Sequence, residues 1–446
     1  MSTPAPKGFG GRRLIVLLIV LGLIAVPGAL LRVFCAGASC TKTASVASAV
    51  PFCSLPSQIR TLIGNGFRTG RSADVLAVGG PTTVEGGTGW ASDAAGVPWP
   101  GLSTAGTQVP LVFLGTGVRA GPITEPVSLD DVAPTEAAIL GLHRPHPEVR
   151  SGHALAGVAT GEHPRLLMEI AITGISSENL SSWPQLTKLM STGASTMAAS
   201  TGSMPVDPAA VLTTLGTGGL PYQHGITGAA IRADNGRVTL AWGERAPVPV
   251  IATLGDDLDR AYKEKARIGL VAPHVSDWGA IGGNWYLGSD QDDVDFDGTS
   301  SRSVPATRKM LSHNYGADAA PDFMVTVLDG RSAHADAALS ELIAAARKAA
   351  SGSVTVVITG TGEGAPSDAV TAKTVADRIA KKVPTSGKLV AAASPQGLFL
   401  NQHTVATDKV SEDDILNAVE SMPAPDGRPL MDQVFPALAV SFERYC

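Results

Sequence analysis

The sequence predicts an α/β domain built on a mostly parallel sheet with helices on both faces, preceded by one N-terminal transmembrane helix. Two patterns carry the α/β reading. Short runs rich in Val, Ile and Leu recur without clean alternation, as expected of strands buried on both faces. Between them lie longer segments whose apolar residues repeat near every 3.6 positions. Strand–helix alternation of this kind favours parallel pairing with helical crossovers.

The elements follow in order. Strands are expected at Ala73–Val78, Val109–Gly115, Leu166–Ile172, Arg267–Val271, Phe323–Leu328, Val354–Ile358 and Leu389–Ala392. Helices are expected at Leu55–Ile63, Leu129–Leu142, Trp183–Met190, Pro208–Leu215, Val250–Lys265, Ala335–Ala350, Ala369–Lys382 and Glu412–Glu420. The start of the fourth helix is the best marked. Asp207 is a capping carboxylate, and Pro208 supplies the fixed φ of a first helical residue.

The N-terminus bears on the compartment. Lys7, Arg12 and Arg13 precede an uncharged run, Leu14–Leu31, closed by Arg32. At about 1.5 Å per residue such a helix spans roughly 27 Å, close to a hydrocarbon core. The positive flank favours an N-in anchor, and a cleaved signal peptide is the competing reading. The chain then divides into a cytoplasmic segment 1–13, an anchor or signal 14–32, a linker 33–52 and an extracytoplasmic domain 53–446. Cys35, Cys40, Cys53 and Cys446 all fall outside the apolar run. An even count in an oxidising compartment suggests two disulfides with three possible pairings. A Cys53–Cys446 bridge would staple the start of the domain to its last residue and leave Cys35 with Cys40.

With 446 residues, 44% hydrophobic and 17% charged, the chain can build a large core. A net charge of −6 and the lack of a basic run argue against nucleic acid. Ser203 lacks a G-x-S-x-G elbow, so a serine hydrolase using His274, Asp277 or His313 is disfavoured. The Gly-rich Thr359–Gly364 run lacks the Lys-Ser/Thr of a P-loop. Asp293, Asp295, Asp297 and Gly298 fit the first half of a calcium loop, but Val304 stands where its terminal Glu belongs. A solvated acidic loop is the plainer reading.

Residues 201–228, TGSMPVDPAAVLTTLGTGGLPYQHGITG, place a hydroxyl beside Met-Pro and follow it with a helix and His224-Gly225-Ile226. This segment resembles the nucleophile segment of the alkaline phosphatase superfamily, in its type I phosphodiesterase/nucleotide pyrophosphatase branch. Trp183–Gly193 resembles that family's PxLxxLxxxG helix, and Glu125–Gly141 resembles its EPVSxxDIAPTxxxLLG helix. The second of these lies before residue 165 rather than near the C-terminus, so the resemblance implies a circular permutation. Such a rearrangement is tolerated when termini meet at the surface. It would place Ala73–Val78 and Val109–Gly115 in one sheet with Leu166–Ile172.

The resemblance implies Ser203 as attacking hydroxyl, at a helix N-terminus suited to a phosphate. It also implies two metal ions. Thr173, however, stands where the first metal Asp belongs, and Gly89 where a metal His belongs. Thr359–Gly364 replaces an Asp-His-Gly, leaving Glu363 as its carboxylate. Asp329 and His334 resemble an Asp…His ligand pair with one residue too many between them. A neutral hydroxyl offers no charge to offset zinc. The expected protein is therefore a catalytically degenerate binding or regulatory module with Ser203 as a vestigial nucleophile and no cofactor. Its ligand would be an envelope component or a phosphate-bearing molecule, and its one fixed partner the membrane. The alternative is an active metal-dependent phosphodiesterase or phosphatase using Ser203, with zinc or another divalent ion held by Asp329, His334 or Glu363.

Overall fold

The computed structural model describes residues 51–446 apart from 81–82, 87–95, 243–248, 284, 287–291, 297–299, 365–368 and 444–445. The fold is mixed α/β around one large, mostly parallel sheet. Its eight strands run, edge to edge, Asp293–Phe296, Ile268–Ala272, Asp322–Asp329, Leu166–Thr173, Val354–Gly360, Gln108–Gly115, Ala194–Ser200 and Gly121–Pro122. The first five are mutually parallel. Gln108–Gly115 runs antiparallel to both of its neighbours.

The Leu166–Thr173 strand explains how the sheet is covered. Its side chains alternate between two cores. Leu167 and Ala171 pack with Val325 and Val357 beneath the helices Val132–Leu140, Pro208–Thr217 and Leu254–Tyr262. Leu166, Met168, Ile170 and Ile172 pack on the opposite face, under Pro184–Met190, Ser300–Leu311 and Ala335–Ala349. Burial on both faces is why this strand reads as an apolar run broken only by Glu169 before it ends at Thr173.

A second sheet, antiparallel throughout, orders Val390–Ser394, Gly397–Leu400, Val75–Gly79 and Met431–Pro436. Gln108–Gly115 joins the central sheet as expected, but Val75–Gly79 does not. Val75 and Ala77 face one core, and Leu76 and Val78 face another. An apolar run covered on both sides shows that a strand is buried, not which sheet it joins. Its partners come from more than 300 residues downstream, at Leu398 and Phe435. Residues 390–436 thus supply three of the four strands of this layer.

A disulfide joins Cys53 to Cys446. Cys35 and Cys40 lie outside the described residues, as does the Leu14–Leu31 run. Among the described residues no helix is long and apolar enough to cross a membrane.

Candidate functional site

Parallel strands in register bring their carboxyl ends to one edge of the sheet, where ligands of open α/β folds bind. Thr173 and Asp329 end neighbouring strands and sit directly opposite each other. Thr361–Gly364 follow the next strand, and Pro273 and His274 follow the strand Ile268–Ala272. These ends, with Asp277 and Arg331, line a cleft of about 190 Å³.

Its polar groups are largely engaged with one another. The Thr173 hydroxyl donates to the Leu328 carbonyl at 3.3 Å. The Asp329 carboxylate accepts from both the backbone N–H and Nε of Arg331, each at 3.0 Å. The His274 backbone N–H donates to Asp277 at 3.1 Å, fixing the turn Val275–Ala280. Glu363 faces Glu178, and burial together with that neighbouring carboxyl raises the Glu363 pKa. A two-metal centre needs several charged or imidazole ligands around each ion. The strand ends offer a neutral threonine, an aspartate paired with its own arginine, a glutamate beside another glutamate, and His274 and Asp277, whose side chains each accept from the other's backbone N–H. Among the described residues no three His, Cys, Asp or Glu side chains come together to hold a metal ion. The donor set does not fit a zinc pair. Gly89 lies outside the described residues.

Ser203 is fully buried, and its Oγ has no hydrogen-bond partner among the described residues. It lies between Gly202, held at φ 77°, and a cis Met204–Pro205 bond, and it lines neither this cleft nor the next one. The helix behind it, Pro208–Thr217, begins as its sequence signals. Asp207 accepts from Ala209 N–H at 3.1 Å and from Ala229 N–H at 3.0 Å. The anion-attracting end of the helix is thereby occupied by the protein's own carboxylate. Asp207→Ala would remove a cap and leave the buried Ala229 N–H unmatched, at a cost of about 2–4 kcal/mol. A clearly lowered thermal midpoint is the expected reading, with Asp207→Asn intermediate because it keeps one acceptor.

His224 belongs to the same scaffold. It is fully buried, with Nδ1 accepting from Ile226 N–H and Nε2 3.1 Å from the Thr214 hydroxyl. Burial and the nearby Arg68 and Arg71 push its pKa down to about 3, so the imidazole stays neutral. Gly225 takes φ 82° to close the short helix Pro221–His224. The His-Gly-Ile signature thus pins a turn.

The remaining candidates separate. His334 is exposed at the start of the Ala335–Ala349 helix and lines neither cleft. His313 is exposed beyond the Ser300–Leu311 helix. Asp293 and Asp295 lie in the sheet's edge strand, paired with Gly269 and Val271, not in a loop. Asp293 accepts from the Tyr315 hydroxyl at 3.2 Å, and Asp297 and Gly298 lie outside the described residues.

A second cleft, of about 280 Å³, shares Val206, Glu363 and Gly364 with the first. Trp99, Pro98, Pro100, Met204 and Pro205 form its apolar walls, and Glu178 and Glu363 its acidic end. Sequence reasoning missed Glu178, Trp99 and Arg331. They come from separate segments with no shared spacing, and only the fold assembles them.

Comparison with known proteins gives one modest sequence similarity. The chain is 33% identical over 94 residues to alkaline phosphatase PhoV of Synechococcus elongatus (strain ATCC 33912 / PCC 7942 / FACHB-805). That match covers 20% of this chain and 16% of the relative, so the chain spans about a sixth of that protein's length. No family model matches. A solved phosphonoacetate hydrolase from Sinorhizobium meliloti 1021, in complex with phosphonoacetate, aligns at a TM-score of 0.33 and 12% identity. It covers 60% of this chain and 76% of that one, a likeness too distant to carry an argument.

Proposed function

We propose that this chain is a catalytically degenerate relative of the alkaline phosphatases that serves as an extracytoplasmic, membrane-anchored binding or regulatory module. The observation that carries the proposal is the composition of the strand-end cleft. Thr173, the Asp329–Arg331 pair and Glu363 stand where two-metal hydrolysis would need open carboxylates and imidazoles. The burial of Ser203 and the capping of its helix by Asp207 support the same reading. The local similarity to an alkaline phosphatase supports the kinship.

The test pairs metal analysis of the purified full chain with hydrolysis of bis(p-nitrophenyl) phosphate. The expected result is sub-stoichiometric zinc, and turnover at the no-enzyme rate that Ser203→Ala leaves unchanged. Stoichiometric zinc with turnover abolished by Ser203→Ala would establish the active-enzyme alternative instead.

A further inference from the structure

We propose that four exposed apolar side chains beside the domain's closure, Tyr222, Val250, Leu438 and Phe442, form a second membrane contact that rests in the interface of a lipid bilayer. The inference rests on the membrane-anchored reading and adds to it the face that the domain turns to the bilayer.

Three observations carry it. The first is the gathering of these side chains. Among the described residues eight large apolar side chains are exposed, and these four lie on elements fastened to one another. The Val250 backbone N–H donates to the His224 carbonyl, at the end of the Pro221–His224 helix that carries Tyr222. The Tyr222 carbonyl accepts from the Arg68 guanidinium at 2.7 Å. The next residue, Thr69, has its hydroxyl 3.5 Å from that of Ser441. Leu438, 65% exposed, and Phe442, 41% exposed, flank Ser441 one helical turn apart.

The second observation is where the chain enters the domain. The apolar run Leu14–Leu31, read as the anchor, is joined to it by residues 32–50. The Cys53–Cys446 disulfide fixes that joint, and the Cys446 sulfur lies 4.0 Å from the Phe442 carbonyl. Even fully extended, the connection reaches no further than about 65 Å. Docking is then an intramolecular event, for which a weak affinity is enough. The third observation is residue type. Aromatic and leucine side chains favour the headgroup boundary. Arg68 sets among them a guanidinium whose stem can lie on apolar surface while its charge stays in water. Glu443, the acid that follows Phe442, lies beside Gly64 of the Ser57–Asn65 helix. Val294, by contrast, is exposed between Asp293 and Asp295 in the central sheet's edge strand, a setting unsuited to lipid.

The test uses the full chain reconstituted into vesicles of phosphatidylcholine and phosphatidylglycerol. The photoreactive residue p-benzoylphenylalanine replaces Leu438 in one sample and Val294 in another. After irradiation, mass spectrometry counts lipid adducts. The expected result is at least tenfold more lipid adduct from position 438 than from position 294. Phe442→Asp, and separately Tyr222→Asp, should each lower the yield from position 438 at least fivefold, with thermal melts confirming that both variants fold. Equal yields from the two positions would overturn the proposal, as would crosslinking of position 438 to a second copy of the chain in place of lipid. A yield that neither Asp variant lowers would overturn it too. An alkaline carbonate wash separates this inference from the reading beneath it. A chain that stays in the vesicles yet gives no lipid adduct from position 438 would sink the inference and leave the anchored reading standing. Release by carbonate would sink the anchored reading, and the tethering argument with it.

Discussion

Glu169→Gln is expected to stabilise the protein, and to do so far more at pH 8 than at pH 5. Glu169 sits in the middle of the central strand, opposite Val325 and Val357. It is fully buried, and neither of its carboxylate oxygens has a hydrogen-bond partner among the described residues. Glu136, on the helix above, is equally buried and equally unpartnered. Removal from water pushes Glu169 up to about 8. Burial, then repulsion from Glu169, holds Glu136 well above the usual carboxylate range, with Arg144 opposing the rise.

The sign follows from linkage. In the unfolded chain a glutamate titrates near 4.3. Between that value and about 8 the folded state keeps a proton on Glu169 that the unfolded state has lost. Stability is therefore complete below the unfolded pKa and falls as pH rises toward 8, by about 1.4 kcal/mol per pH unit. A glutamine has no proton to lose. Other buried groups restrict the useful window. Asp256 and Asp322, each pushed up to about 6 by burial, add slopes of the same sign at lower pH. His224, held neutral with its pKa at about 3, opposes them below the ordinary histidine value of about 6.5. From pH 6.5 to 8 the carboxyl pair dominates. Urea unfolding across that window should show stability falling in the wild type and a flatter profile in Glu169→Gln. Identical slopes would show that the pair does not titrate as its burial requires.

The same residue shows what was legible from the sequence. LLMEIAI announced a strand buried on both faces and placed one carboxylate in it, but not the helix that brings Glu136 against it. Asp207-Pro208 marked a helix start correctly, because a cap is a local interaction between residues two or three apart. Its consequence for function was hidden. The feature that begins the helix also fills the anion site that the resemblance implied, and the second bond, to Ala229, is not local. Position in the sheet was given for Gln108–Gly115 only by the resemblance, since its antiparallel neighbours, Val354–Gly360 and Ala194–Ser200, come from distant parts of the chain and the second was not expected as a strand. It was not legible for Val75–Gly79, because antiparallel pairing with Gly397–Leu400 and Met431–Pro436 depends on chain closure. The clefts were the least legible part. Their lining side chains come from strand ends, short turns and loops of separate segments, where no period of two or 3.6 gives them away.

Chain closure leads to the second large effect. Replacing both Cys53 and Cys446 by serine is expected to destabilise the domain by about 3–5 kcal/mol. The two cysteines are 393 residues apart in sequence, so the bridge removes the end-to-end freedom of nearly the whole unfolded domain. Loop entropy alone predicts a value at or above the top of that range, and measured losses commonly fall short of it. The bridge also fastens packing that the chain ends cannot secure alone. Phe52 meets Phe435 edge-on with ring centroids 5.2 Å apart. Leu55, Ile59 and Ile63 share a core with Leu76, Val78, Ala439 and Val440. Without the crosslink each terminal segment can fray separately from the second sheet. The double variant is preferable to a single one, because a lone remaining thiol could pair with Cys35 or Cys40. Its thermal midpoint should fall by several degrees under oxidising conditions. Limited proteolysis should then cut first on the flanks of Ala437–Val440, releasing the C-terminal segment that the wild type retains. A variant that melts and is cleaved like the wild type would mean that the aromatic and aliphatic contacts close the domain by themselves.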